Sequence, residues 1–522
     1  MRARRTAVSS SRIAARPRVI RGVMAALLLL TGPAVTAAPV AAATSPRNVS
    51  HRYLVVFEAT TRPGGGFALG GDLAATRPAA LRAIEAAGGR VAVDLSRQIA
   101  VMIVESSDAR FASRLGGSAL VAGVAADLAW KGIPSERPTT VAAARPASRS
   151  AGLVARGPEQ TTDPLEGQQW SMQLIRTPAA HAVEAGWDRV DVGILDSGID
   201  AAHLDFDDDG VPGGSTNVDC ARGRNSIPFG PGIGSPNPCV DNQFHGTHVA
   251  GIVAAQANGV GVVGVAPNVT LVPVKTCDTE GFCYAGSVVD AITYAGDQRF
   301  DVVNMSFFTD DNDFRASTEF KCRNDAEQFA IREAVDRAIA YARDRGVVPV
   351  GALGNSDTDL ANKPAPYDGD CATVPAESPG TIGVSALGPN SGKSSYSSYG
   401  FGSNDVAAPG GAGTTGNCQQ TVLSTIPGNA YGCFQGTSMA SPHAAGVVAL
   451  IVSRFGSLGA DGDVKIAAAK VESRLEASAI DIGLVGYDEC YGHGRVDALR
   501  AANGAKRTAR DPSAPNCPEY NE

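Results

Sequence analysis

The chain has 522 residues, of which 44% are hydrophobic, and a formal net charge of −8 at pH 7. This length allows two or three domains, and the apolar fraction excludes a wholly disordered chain. The charge is unevenly divided: residues 1–160 contain 21 basic and 9 acidic side chains, and the remainder contains 24 basic and 44 acidic ones. A net charge of −20 over residues 161–522 argues against nucleic acid as a partner, because phosphate backbones bind basic surfaces.

Residues 1–43 have the composition of a secretory signal peptide. Arginines are frequent up to Arg21, an apolar run follows over residues 23–30, and small residues lead to Ala41-Ala42-Ala43. A membrane anchor would need about 20 apolar residues, and Thr31-Gly32-Pro33 ends this run too early. We therefore expect a secreted, extracellular protein without a membrane anchor.

The cysteine content agrees with export, because disulfides persist outside the reducing cytosol. All ten cysteines follow residue 219, and pairing of neighbours would give the disulfides 220–239, 277–283, 322–371, 418–433 and 490–517. Connectivity does not follow from the sequence, so this pairing is a hypothesis. A zinc site is a poor alternative, because the spacing of Cys277 and Cys283 is too wide for a C-x₂₋₄-C pair.

The segment 44–131 predicts a small ferredoxin-like α+β domain. Its predicted strands at 52–57, 91–95, 99–104 and 120–126 and its predicted helices at 81–87 and 109–115 follow a β-α-β-β-α-β order. Residues 132–165 are rich in Pro, Ala, Ser, Thr and Arg and lack apolar periodicity. That composition indicates a linker, and we expect a processing site within it.

Strands and helices alternate along residues 166–503. Predicted strands lie at 190–195, 269–275, 302–306, 347–352, 381–384 and 406–408, and predicted helices at 245–255, 285–295, 326–343, 439–452 and 464–476. Alternation with Val-rich, buried strands predicts an α/β domain with a doubly wound, mostly parallel sheet. Functional sites on such sheets lie at the carboxyl ends of the strands. Residues 504–522 form a polar C-terminal tail.

Three polar residues at element ends suit nucleophilic catalysis. Asp196 ends a predicted buried strand, His245 begins a helix, and Ser438 lies in Gly436-Thr-Ser-Met-Ala-Ser-Pro442 just before an apolar helix. A serine becomes nucleophilic when a histidine takes its proton, and a carboxylate orients that histidine. His248, three residues after His245, is better explained as a core histidine.

A fourth residue suits stabilisation of an oxyanion. Asn355 follows the predicted strand 347–352, so its amide lies at a carboxyl end of the sheet. Acyl transfer passes through a tetrahedral intermediate whose negative oxygen needs hydrogen-bond donors. Taken singly, each of these residues also fits a turn or a helix cap.

Together the motifs resemble those of the subtilisin-like serine peptidases (subtilases). The resemblance covers about 170–502 and rests on Asp196-Ser-Gly, His245-Gly-Thr-His-Val-Ala-Gly, Asn304-Met-Ser306, Gly354-Asn355 and the Ser438 motif. It implies Asp196 as the orienting acid, His245 as the base, Ser438 as the nucleophile and Asn355 as the oxyanion donor, with no cofactor for the chemistry. It also identifies the segment 44–131 as similar to the family's inhibitory propeptide, which assists folding and is then removed.

The resemblance places substrate-binding segments at Ser306-Phe307-Phe308 and Ala352-Leu353-Gly354. The two phenylalanines replace a Leu-Gly pair common in the family, and Leu353 replaces a residue that is usually small. This bulk predicts narrower acceptance of the substrate's P1 residue. A Cys277–Cys283 disulfide would brace the loop beside the residues upstream of P1.

The resemblance also implies a structural calcium site. Asp205 matches an acidic ligand, Asn258 would add a side-chain oxygen, and Gln256, Val260 and Val262 would add carbonyl oxygens, with Glu166 to close the shell. Hard oxygen ligands in this number suit Ca²⁺.

We thus expect a monomeric, secreted serine endopeptidase, made as an autoprocessed zymogen, that acts on proteins or peptides and is inhibited by its own propeptide. One alternative is a processing peptidase that cuts a single partner protein. Another is an inactive, peptidase-like binding protein.

Overall fold

A computed structural model describes residues 48–61, 67–69, 73–133, 138–141, 163–210, 213–228, 234–309, 321–363, 370–413, 417–506 and 510–517. The predicted signal peptide and most of the predicted linker lie outside these described residues. No helix in the described ranges has the length and apolar character needed to span a bilayer.

The bounds of the elements are as follows. The strands are β1 Asn48–Phe57, β2 Ala59–Thr61, β3 Phe67–Leu69, β4 Arg90–Leu95, β5 Val101–Glu105, β6 Val121–Lys131, β7 Thr139–Val141, β8 Asp191–Asp196, β9 Arg224–Asn225, β10 Thr270–Lys275, β11 Phe282–Tyr284, β12 Val302–Met305, β13 Lys321–Cys322, β14 Val348–Ala352, β15 Cys371–Ala372, β16 Ile382–Leu387, β17 Val406–Pro409, β18 Val422–Ile426, β19 Ala430–Phe434, β20 Ser457–Leu458 and β21 Val464–Lys465. The helices are α1 Leu73–Ala86, α2 Phe111–Leu115, α3 Trp170–Leu174, α4 Thr177–His181, α5 His245–Ala254, α6 Ala285–Gln298, α7 Ala326–Arg343, α8 Thr437–Phe455, α9 Ala468–Ser478 and α10 Ala498–Asn503.

The N-terminal segment forms an antiparallel sheet in the order β6-β1-β5-β4, with β11 added beyond β6. Side chains alternate across β1, as in any strand. Val55 and Phe57 pack towards Phe111 of α2, whereas Leu54 and Val56 join the cluster that contains α6 and α7. The sheet therefore buries its second face against the larger part of the protein.

A seven-stranded sheet in the order β17-β16-β14-β12-β8-β10-β9 forms the centre of the larger part, and all neighbouring strands are parallel. This confirms the predicted doubly wound α/β class. Helix α8 packs against β12, β14, β16 and β17. It is buried from Thr437 to Val452, which explains why its sequence is apolar on every side.

Some local predictions differ from the structure. The hairpin β18–β19 has no counterpart among the predicted strands, and α9 begins at Ala468 because Val464–Lys465 instead pairs with Ser457–Leu458. Thr139–Val141, within the predicted linker, forms β7 and pairs with β19. The partner of β7 lies about 290 residues further along the chain, so no local pattern could indicate that pairing.

The structure contains the five disulfides that neighbour pairing suggests. They are Cys220–Cys239, Cys277–Cys283, Cys322–Cys371, Cys418–Cys433 and Cys490–Cys517. Cys277–Cys283 holds the two ends of the loop before α6 together, and Cys490–Cys517 ties the described end of the C-terminal tail to the larger part of the protein.

Candidate active site

Asp196 and His245 are in direct contact at the carboxyl end of β8. Both side chains are almost fully buried, and His245 Nδ1 lies 3.0 Å from each carboxylate oxygen of Asp196. The Ser197 backbone N–H donates to Asp196 Oδ1 at 2.7 Å. This carboxylate therefore holds the imidazole with Nδ1 protonated, which leaves Nε2 available to accept a proton.

A second buried carboxylate, Asp241, fixes the backbone around His245. Asp241 Oδ1 accepts from the N–H groups of Gln243 and Phe244, and its Oδ2 accepts from the N–H and hydroxyl of Thr247. The Ser197 hydroxyl donates to Asp241 Oδ1 and accepts from the Gly246 N–H. Sequence reasoning did not assign this role to Asp241, although a buried Asp before a helix start is a recognisable N-terminal signal.

Gly246 is required by close packing at this point. A Cβ at Gly246 would lie 2.1 Å from the carbonyl oxygen of Gly198. Helix α5 can therefore approach the turn after Asp196 only because residue 246 has no side chain.

Ser438 is the second residue of α8 and is 2% exposed. Gly436, which caps the helix, has a φ of 149°, a region that glycine adopts without strain. The N-terminal end of a helix carries positive partial charge, which favours negative charge that develops beside Ser438.

Two polar atoms of the predicted triad have no hydrogen-bond partner among the residues that the structure describes. His245 Nε2 and Ser438 Oγ are both buried and unpartnered. Most buried polar atoms in native proteins are satisfied, and catalytic groups are a usual exception.

Asn355 follows β14 and contacts the residue before Ser438. Its Oδ1 accepts from the backbone N–H of Thr437 at 2.9 Å and from the Thr437 hydroxyl at 3.0 Å. Its Nδ2 would be 3.3 Å from a Cβ at Gly436. Because Thr437 binds the amide oxygen, the amide nitrogen is fixed beside the residues that lead into Ser438.

A chain of side-chain hydrogen bonds links β12 to α8. The Ser441 hydroxyl donates to Asn304 Oδ1, Asn304 Nδ2 donates to the Ser306 hydroxyl, and Ser306 donates to the carbonyl oxygen of Ser438. The predicted substrate residue Ser306 therefore also sets the backbone position of Ser438.

The other predicted substrate residues lie beside these elements and are buried. Phe307 belongs to the apolar cluster that includes Trp130 and Ile133. Leu353 packs with Leu360 and the Cys322–Cys371 disulfide, so its side chain lies in a separate apolar cluster. Phe308 lies in the segment after β12, Ala352 ends β14, and Gly354 lies two residues beyond it.

Residues 129–133 of the same chain lie along the rim of the site, which β11 and Phe307 form. In the antiparallel register of β6 and β11, Trp130 pairs with Cys283, and the Ile133 N–H donates to the carbonyl of Gly281. A Cβ at Gly132 would be 2.9 Å from Phe307 Cβ and 3.0 Å from Cys283 Sγ. An extended segment thus adds as a strand beside the Cys277–Cys283 disulfide.

Two further histidines near the site are core residues. Burial lowers the pKa of His248 to about 3 and that of His443 to about 4. His248 Nε2 lies 3.1 Å from each of two backbone carbonyl oxygens, and His443 Nδ1 lies 2.7 Å from the Met439 carbonyl oxygen. Both imidazoles are neutral near pH 7 and serve packing.

The predicted calcium ligands form one buried loop cluster. Asp205 Oδ2 accepts from the Val262 N–H, Asn258 Oδ1 accepts from the Val260 N–H, and Gln256 Nε2 donates to the Phe206 carbonyl. Several predicted donors are thus engaged internally, and no set of three or more His, Cys, Asp or Glu side chains suited to a metal occurs in the described ranges. However, among the described residues Asp205 Oδ1 and Asp163 Oδ2 are buried without a hydrogen-bond partner, and buried carboxylate oxygens suit a hard cation.

Comparison with known proteins agrees with this fold. Residues 188–494 match the model of the Subtilase family, Peptidase_S8. The chain is 32% identical over 333 residues to Subtilisin of Bacillus pumilus, which covers 64% of this chain and 98% of that protein. For Subtilisin E of Bacillus subtilis the identity is also 32%, with 64% and 71% covered.

Solved structures give the same fold. The epidermin leader peptide processing serine protease (EpiP) of Staphylococcus aureus has a TM-score of 0.63 at 19% identity, with 87% of this chain and 98% of that chain covered. A lanthipeptide protease has a TM-score of 0.51 at 25% identity, with 65% and 93% covered.

The fold and the family match define a serine endopeptidase that acts on proteins or peptides. The chain belongs to the subtilase family.

Proposed function

We propose that Asp196, His245 and Ser438 are the catalytic triad of this endopeptidase and that Asn355 is the oxyanion donor. The observation that carries the proposal is the buried Asp196–His245 contact, together with the unpartnered His245 Nε2 and Ser438 Oγ. A protein that only bound peptides would have no need to keep a base and a hydroxyl buried and unsatisfied.

The mechanism follows from these positions. Ser438 Oγ attacks the scissile carbonyl carbon while His245 Nε2 takes its proton, and Asp196 stabilises the imidazolium that forms. The intermediate's oxyanion is stabilised by Asn355 Nδ2, the Ser438 N–H and the N-terminal end of α8. His245 then protonates the leaving amine, and water hydrolyses the acyl-enzyme by the reverse proton transfers.

The substrate would bind along the rim already described. Ser306-Phe307-Phe308 and Ala352-Leu353-Gly354 would flank the P1 residue, and the upstream residues would add as a strand to β11. A disulfide-braced β11 and a buried Phe307 support a narrower substrate range than an open, flexible rim would.

The same contacts support a zymogen. Residues 129–133 cover the rim, and the sheet that contains them buries an apolar face against α6 and α7. In this proposal the segment 44–131 is an inhibitory propeptide that is removed after export, and five disulfides in the chain favour an extracellular enzyme.

We also propose a structural calcium ion at the Asp205 loop. The unpartnered oxygens of Asp205 and Asp163 support it, and Gln256, Asn258, Val260 and Val262 would supply further oxygen donors. The ion would bind the loop to its neighbours and would take no part in the reaction.

The triad is tested by active-site labelling. A fluorophosphonate should label the processed protein and should fail to label Ser438→Ala. Ser453→Ala is a matched control on the same helix, where the Ser453 hydroxyl donates to the Ala449 carbonyl, and it should be labelled normally. Labelling that persists in Ser438→Ala would refute the assignment.

A further inference from the structure

A cavity lies at the edge of the seven-stranded sheet that is opposite the candidate active site. Asp301 directly precedes β12, Gly346 lies just before β14, and Phe455 ends α8, and all three line this cavity of about 460 Å³. The candidate active site lies at the other ends of β12, β14 and α8. The 19 residues of α8 separate the two sites by about 28 Å.

The cavity is basic although residues 161–522 are strongly acidic. Five cationic side chains line it, against two carboxylic acids, Asp301 and Asp463. The cations are Arg299, Arg345, Lys465, Lys470 and Arg474. Burial raises the pKa of Asp301 to about 7, so its negative charge is only partly developed at neutral pH.

Three of the cations are not neutralised by the protein. Arg299 and Lys465 pair with Asp461 and Asp463. In the described part of the chain no carboxylate forms an ion pair with Arg345, Lys470 or Arg474. Arg345 stacks on Tyr341, and Arg474 stacks on Phe455, so these two guanidinium groups are oriented by aromatic rings.

Helix dipoles explain only part of this cluster. Helices α6 and α7 end here, and cations such as Arg299 and Arg345 are favourable at helix C-termini. Lys470 instead lies in the first turn of α9, where a cation is unfavourable, and Arg474 lies one turn further along. The first turn of α9 has no acidic residue, and its N-cap, Ala467, provides no side-chain cap. A bound anion would reduce the repulsion between these cations and the N-terminal end of α9. It would also accept hydrogen bonds from the backbone N–H groups at that end.

We propose that this cavity binds a ligand with two adjacent phosphoryl groups, held by Arg345, Lys470, Arg474 and the N-terminus of α9. A phosphoryl group carries about −1.5 to −2 charges at pH 7 and three acceptor oxygens. Two such groups match the excess of cations, and arginine forks suit phosphate oxygens. The site is separate from peptide hydrolysis and does not depend on the triad assignment.

The test is calorimetric titration of the full-length protein with inorganic pyrophosphate in calcium-free buffer. Wild type should bind, and Lys470→Gln/Arg474→Gln should bind at least tenfold more weakly. The control variant Lys506→Gln/Arg510→Gln also loses one lysine and one arginine charge, but at positions outside the cavity. Its affinity for pyrophosphate should stay within twofold of wild type. After processing, hydrolysis of a short peptide should be equal in all three proteins.

Two results would overturn the proposal. One is the absence of pyrophosphate binding to wild type, which would show that the cations serve only the helix ends. The other is an equal loss of binding in both double variants, which would show a general effect of charge. Heat from chelation of residual metal would be the same in all three proteins and cannot imitate the expected difference.

Discussion

At the scale of single residues, the side chain of Asn355 has two ends with different tasks. Its oxygen accepts two hydrogen bonds from Thr437, and its nitrogen lies beside Gly436. The first interaction positions the start of α8, and in the proposed mechanism the nitrogen donates to the developing oxyanion. Substitutions at Asn355 can separate the role of its oxygen from that of its nitrogen.

Asn355→Ala should lower kcat by about 10²- to 10³-fold with little change in KM, because the lost donor acts in the transition state. Asn355→Asp keeps an acceptor for Thr437 but loses the donor, so it should be equally impaired. Steady-state kinetics on a peptide substrate measure both, with the exposed Asn362→Ala as control. A kcat within threefold of wild type in either variant would contradict the role.

A different residue, Asp405, should make stability depend on pH. Burial raises its pKa to about 7, with Glu476 and Glu472 adding repulsion. In the unfolded chain the group ionises near pH 3.8. As pH rises from about 4 to about 7 the unfolded state loses this proton first, so folding is progressively disfavoured, by up to about 4 kcal/mol in total.

Asp405→Asn should remove that loss, since the amide oxygen can still accept from the Gly383 N–H that now donates to Asp405. The free energy of unfolding of the variant, relative to wild type, should therefore rise between pH 4 and pH 7 in denaturant titrations. Asp188→Asn, at an exposed carboxylate, should show no such trend. Parallel pH profiles for Asp405→Asn and wild type would contradict the prediction.

At the scale of elements, the candidate active site lies where strand ends meet helix starts. Asp196 ends β8, Ser306 and Asn355 follow β12 and β14, and His245 and Ser438 begin α5 and α8. Parallel strands bring all their carboxyl ends to one edge, so residues far apart in the chain become neighbours. The Asp205 loop lies outside this set of strand ends and helix starts.

Calcium removal should show whether that loop holds a cation. EDTA should lower the Tm of wild type, because an ion bound at a hundredfold excess over Kd stabilises the fold by about 2.7 kcal/mol. Asp205→Asn should have a lower Tm that EDTA does not change further, and the exposed Asp208→Asn should behave as wild type. An unchanged Tm of wild type in EDTA would contradict the proposed ion.

At the scale of the whole molecule, the N-terminal sheet is fixed to the larger part by polar contacts as well as by apolar packing. The Asp127 carboxylate is fully buried, accepts from the Gly286 N–H at 2.7 Å at the start of α6, and pairs with Arg52. Arg337 of α7 donates to the carbonyl of Phe57 at 2.9 Å. A carboxylate at a helix N-terminus is a favourable arrangement.

Asp127→Asn should therefore weaken inhibition by the proposed propeptide at least tenfold, since a hydrogen bond to a charged group contributes about 1.5–3 kcal/mol. The inhibition constant can be measured from the recovery of activity when the processed complex is diluted. Asp94→Asn is the control and should leave inhibition unchanged, because the Asp94 carboxylate of β4 pairs with Arg77 of α1 inside the N-terminal segment. Equal inhibition constants for Asp127→Asn and wild type would contradict the role of Asp127.

Much of this architecture could be predicted from the sequence, because hydrophobic periodicity and turn residues are local signals. The Val-rich runs indicated the six strands β8, β10, β12, β14, β16 and β17, and the motif order indicated the candidate catalytic residues. Elements without such a signal were missed. The hairpin β18–β19 and strand β7 depend on partners distant in the chain.

The sequence by itself determined the strand and helix order, the family and the identity of the candidate chemical groups. Only the tertiary structure decided that Asp241 and Ser197 fix the backbone at His245, that Leu353 packs away into its own cluster, and that residues 129–133 lie on β11. The reason is physical. Local patterns report which face of an element is apolar, whereas contacts between distant residues depend on how the packed elements share space.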